Sequence, residues 1–123
     1  MNLLTIEQVM LVHERQLEAH GGSAGCLRDP GLLESALGRV EMHVAYSEEA
    51  VDAFAVAAIY LKGIAHAFVD GNKRTGLVCA FAFLRANKAE VRATPAEMLA
   101  LAHGAAGEVS VEDLAKWLRE RAR

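Results

Sequence analysis

Apolar residues along the 123-residue chain recur with a helical period, and no stretch alternates with period two, so the pattern predicts an all-α fold. The first helix is expected to begin at Thr5, with Gln8 as its capping-box partner, and to stop at Gly21 and Gly22. Its buried stripe is Ile6, Val9, Met10, His13 and Leu17. A second helix takes Asp29 as cap and Pro30 at its first position, and buries Leu33, Ala36, Leu37 and Val40. From about residue 51 to 65 nearly every position is apolar and small, which describes a helix enclosed on several sides that delivers His66 at its end. The next, over residues 72–86, has an apolar body with Ala80 and Ala82 among Leu77, Val78, Phe81 and Leu84. Thr94, Pro95 and Glu97 open a helix that ends near Gly104, and Ser110 with Asp113 opens a last one that buries Val111, Leu114, Trp117 and Leu118. The expectation is a compact bundle of about six helices in which two central buried helices flank a short polar connection.

A chain of this length supports one domain with one modest core, and a composition 53% hydrophobic but only 6% aromatic builds that core from Ala, Leu and Val. The net charge of -3 excludes a global basic field that would draw the chain to nucleic acid or to an anionic membrane. Lys88 and Arg92 read as solvated surface, whereas Lys73 and Arg74 fall inside the polar segment at residues 66–75. Cys26 and Cys79 make neither a disulfide framework nor a zinc cluster, and are expected as free thiols in a reducing cytoplasm. The opening MNLLTIEQVM lacks a basic leader, and the apolar run over residues 75–84 is too short to cross a bilayer. A soluble, cytoplasmic protein is expected.

The chemistry is concentrated in residues 66–75, HAFVDGNKRT. Gly71, Asn72 and Lys73 fall in the first turn of a helix, where backbone N–H groups lack intrahelical partners and the helix dipole favours an anion. Glycine admits a phosphate close to the backbone, Asn72 can donate side-chain hydrogen bonds, and Arg74 offers a two-pronged guanidinium. Asp70 supplies a carboxylate of the kind that holds Mg2+ together with nucleotide phosphates and water, and also suits a helix cap. His66 is the candidate general base, since an imidazole is partly neutral near pH 7 and can take the proton of an attacking hydroxyl. Phe68 reads as the anchor of the loop on the core. His13 reads as a hydrogen-bonded core residue, and His20, His43 and His103 have no ligand-like spacing. Walker, kinase, HExxH and nucleophile-elbow signatures are absent.

This segment resembles the signature of the Fic/Doc superfamily, HxFx(D/E)GN(G/K)R, and Lys73 makes it similar to the Doc (death-on-curing) branch. The resemblance continues upstream through GGSAGCLRDPGLLESALGRV, Ala45 and Tyr46, and downstream in FLRAN. It implies a single Fic/Doc domain over residues 1–123, acting as the toxin half of a bacterial toxin–antitoxin pair and using ATP and Mg2+. Fic-type members carry glycine in place of Lys73 and transfer AMP to a target hydroxyl. The Doc resemblance implies ATP bound the other way round, with the γ-phosphoryl group passing to a threonine of elongation factor Tu and translation inhibited. In that reading His66, Asp70 and Arg74 are catalytic, Gly71, Asn72, Lys73 and Arg74 bind the nucleotide phosphates, and Asp70 holds the metal. Gly71 departs from the alanine that Doc kinases often carry, so AMP transfer stands as the alternative.

The resemblance further implies an antitoxin whose C-terminal segment folds into a helix in an apolar groove, and a substrate-aligning flap matched by residues 44–50. An internal inhibitory (S/T)xxxE(G/N) helix is not evident. A non-catalytic binding module and an RNA-cleaving toxin are readings from other classes. The intact His66, Asp70 and Arg74 argue against the first, and the scarcity of aromatic stacking platforms against the second.

Overall fold

The computed structural model describes residues 1–20, 30–47, 50–67 and 72–122, with the side chains of His20, Pro30, Asn72 and Lys73 left aside. The described residues form six helices: α1 (Ile6–His20), α2 (Pro30–Tyr46), α3 (Ala53–Ala67), α4 (Asn72–Ala86), α5 (Pro95–Ala106) and α6 (Val111–Glu120). No strand is formed among the described residues, only an isolated bridge between Val91 and Ala122. None of the described helices is long and apolar enough to cross a membrane.

Local chemistry sets the helix starts. Thr5 and Gln8 form a reciprocal capping box, with the Thr5 N–H donating to Gln8 Oε1 at 2.9 Å and the Gln8 N–H donating to Thr5 Oγ1 at 3.2 Å. Thr94 and Glu97 repeat the device at α5, and Ser110 accepts from the Asp113 N–H at α6. Thr94 is exposed, so Thr94→Ala is expected to cost about 1 kcal/mol through loss of the cap alone. A fall in Tm of a few degrees with unchanged far-ultraviolet ellipticity would match this. α5 runs past Gly104, because that glycine is a packing position: a Cβ there would stand 3.0 Å from Val109 Cγ2. The stop comes at Gly107, whose N–H donates to the carbonyls of His103 and Gly104. The caps expected at Gly21, Gly22 and Asp29 lie outside the described residues, as does Cys26.

α3 lies at the centre and packs against α2, α4, α5 and α6. Its small residues permit this. Gly63 lets α2 approach so closely that a Cβ on it would fall 2.5 Å from the Cβ of Ala36. α4 packs against α1, α3 and α5. One stripe of it is buried, made of Thr75, Gly76, Cys79, Ala80, Phe83 and Leu84, while Val78 and Ala82 face solvent. Tyr60 of α3 meets Phe83 edge to face at 5.2 Å between ring centroids, and its hydroxyl accepts from the Leu4 N–H at 2.9 Å. The expected stripes of α1 and α2 are largely as read, with Val9, His13, Leu33, Ala36, Leu37 and Val40 buried and Met10 on the rim. In α6, Leu114, Ala115 and Leu118 are buried, whereas Val111 and Trp117 are half-buried and Arg121 stacks on the indole at 3.8 Å. The free thiol of Cys79 is buried, which pushes it up to about 12.

Candidate active site

The last turn of α3 presents a single polar group. Every residue of α3 is buried or half-buried except His66, and its neighbours Ala65 and Ala67 are both in the core. The exposure of His66 is therefore not fraying of a helix end, since the residue that follows it is fully enclosed. An imidazole held this way is fixed at its backbone and open at its ring, which suits proton transfer with a group arriving from solution.

α4 begins at Asn72, immediately after residues 68–71, so the polar connection ends on a helix N-terminus as expected. Arg74 sits in the first turn with its side chain exposed. Phe68, Asp70 and Gly71 lie outside the described residues, and Asn72 and Lys73 are placed by their backbone alone. The backbone of the first turn offers N–H groups without intrahelical acceptors, and Arg74 adds a full positive charge beside them. Of the region matched to a substrate-aligning flap, Val44, Ala45 and Tyr46 form the last turn of α2, and Glu48 and Glu49 lie outside the described residues.

The turn is gripped from both sides. Thr75 is fully buried and shares a hydrogen bond with Nδ1 of His13, 3.0 Å away on α1. Gly76 brings α4 onto the backbone of α3, where a Cβ would stand 3.0 Å from the Leu61 carbonyl oxygen and 3.4 Å from the Ala65 nitrogen. The hydrogen-bonded core role expected of His13 is what its geometry shows. The role of Thr75 was not legible, its only signal being a hydroxyl at the edge of an apolar stripe.

Burial pushes His13 below the ordinary histidine value of 6.5. As the pH falls, the unfolded chain binds a proton at this position before the folded chain does. The stability contribution of neutral His13 is therefore complete above pH 6.5 and is lost as the pH drops through the depressed folded-state value. Between about pH 7.5 and 5.5 the Tm of the protein is expected to fall further than that of His13→Asn, whose amide does not titrate. Equal losses in the two proteins would assign the acid sensitivity elsewhere.

The model of the Fic/DOC family matches residues 3–84, a span that takes in α1, α2, α3 and nearly all of α4. The chain belongs to the Fic/DOC family. Within it, the chain is similar to the protein kinase doc of Escherichia phage P1, with 43% identity over 122 residues that cover 97% of this chain and 94% of that protein. This likeness puts it on the Doc branch.

The family match includes His66, residues 70–74, and the His13–Thr75 pair that holds the turn. A helix N-terminus with an exposed arginine beside it suits a polyphosphate. Among the described residues no three His, Cys, Asp or Glu side chains gather in a way that could hold a metal ion. Asp70, the carboxylate expected from the sequence to hold Mg2+, lies outside the described residues.

Proposed function

We propose that the protein is the toxin of a bacterial toxin–antitoxin pair and a phosphotransferase of the Doc type, moving the γ-phosphoryl group of ATP to a protein hydroxyl. The proposed acceptor is a threonine of a translation factor such as elongation factor Tu, reached in the cytoplasm, so that translation is inhibited. The reading is carried by the exposure of His66 alone among the residues of α3, close in sequence to the α4 N-terminus and the exposed Arg74. The similarity to a protein kinase supports the same reading.

The acceptor hydroxyl approaches His66, whose imidazole takes its proton as the oxygen bonds to the γ-phosphorus. The bond from that phosphorus to the bridging oxygen breaks, and ADP leaves with its electrons. Arg74 and the first-turn N–H groups of α4 face the charge that spreads over the phosphoryl oxygens, with Gly71, Asn72 and Lys73 completing the nucleotide contact. Mg2+, held by Asp70, would neutralise phosphate charge when bound. A side chain as long as that of Lys73 would crowd the approach used by the inner phosphates in AMP transfer. Phe68 would anchor the connection on the core.

The antitoxin proposed as partner inhibits through a C-terminal segment that folds on this chain. The deciding experiment incubates the purified protein with Mg-ATP and elongation factor Tu and measures the intact mass of the factor. A gain of one phosphate, about 80 Da, is expected, whereas one AMP, about 329 Da, would install AMP transfer in its place. No gain on elongation factor Tu would overturn the proposed target.

A further inference from the structure

His13 and Thr75 are buried polar residues that take no part in the chemistry proposed above. Burying an imidazole and a hydroxyl costs desolvation that is recovered only when the two groups meet in good geometry. Leucine and valine would fill the same space without that demand. The pair, 62 residues apart in sequence and 3.0 Å apart in space, selects one rotation and one height of α4 against α1. Other settings would break this bond.

Thr75 is the fourth residue of α4, counting from Asn72. It therefore directly follows the three helical residues, Asn72 to Arg74, whose N–H groups lack intrahelical acceptors. Arg74 precedes it and Gly76, in contact distance of the α3 backbone at Leu61 and Ala65, follows it. Consecutive residues thus clamp the turn between α1 on one side and the end of α3, next to His66, on the other. A rotation of α4 by a fraction of a residue step would turn Arg74 and the free N–H groups away together.

We propose that His13 is a positioning residue for the phosphate-binding turn, acting through Thr75 to set the direction in which Arg74 and the first-turn N–H groups meet the nucleotide. This rests on the phosphotransfer reading of that turn. Mg-ATP binding to the purified protein, measured by calorimetry, tests it, because affinity does not depend on the active fraction. His13→Leu and Thr75→Val each weaken Mg-ATP binding about tenfold, and the double variant is no weaker than either single, as a shared bond requires. Thr75→Ser keeps the hydroxyl and retains affinity within about twofold, and Thr94→Ala, which lowers Tm far from this turn in sequence and function, also leaves it within about twofold. Should His13→Leu fail to fold, the near-isosteric Thr75→Val carries the measurement. Wild-type affinity in folded Thr75→Val, or losses that simply multiply in the double variant, overturns the positioning role and leaves the phosphotransfer reading intact. Absence of Mg-ATP binding by the wild-type protein overturns the phosphotransfer reading, and the positioning role with it.

Discussion

His66→Ala lowers phosphoryl transfer to the target by about 10²- to 10⁴-fold, the range that a positioned general base contributes. The side chain is exposed, so its removal leaves no cavity, and stability stays within about 0.5 kcal/mol of the wild type. Mg-ATP affinity is likewise expected to hold, because the proton moves only as the acceptor oxygen bonds to phosphorus. The loss then falls on kcat with little change in the KM for ATP. Intact-mass time courses of the modified target, alongside Tm and nucleotide affinity, separate these effects. Full transfer by the folded variant would remove His66 from the mechanism and move the search for a base into residues 68–71.

Gly63→Ala lowers Tm by about 8 °C, although alanine is the better helix former. The added methyl would stand 2.5 Å from the Cβ of Ala36, more than an ångström inside ordinary contact. Ala36 is attached directly to a helix backbone and cannot swing aside, whereas the Arg39 guanidinium at 3.3 Å can. Overpacking of this kind costs about 3 kcal/mol, against about 1 kcal/mol gained in helix propensity, for a net loss of about 2 kcal/mol. Combining it with Ala36→Gly moves the missing methyl to the other helix. The double variant should return close to the wild-type Tm, since the clash is gone and the propensity terms cancel. If the single variant melts with the wild type, α2 and α3 are not in the close contact described.

Features coded within a few residues were legible before the fold was known. The capping residues Thr5, Thr94 and Ser110 announce their helices because each finds its partner three positions along. The enclosed character of α3 follows from its run of small apolar residues, and residues 66–74 carry the signature of the family to which the chain belongs. Features that need two distant segments were not legible. His13 reads as a hydrogen-bonded core residue, but nothing local points to Thr75 as its partner. Gly63 looks like a helix weakness until Ala36 is placed against it. Gly104 looks like a helix stop until Val109 is seen to need the room. α2 also extends through Tyr46 into a stretch that the family resemblance assigns to a flap, because a helix propagates through any residues that do not oppose it.

The crowding around α3 has a mechanical consequence. A rod wedged among four others through small side chains has no slack: sliding it by one residue or rolling it by part of a turn would collide with several neighbours at once. The Cα of His66, at the end of that rod, is held by the same packing. In the proposed transfer, tolerance for acceptors of different shape would be supplied by the rotamers of the exposed imidazole and guanidinium, which swing within nanoseconds.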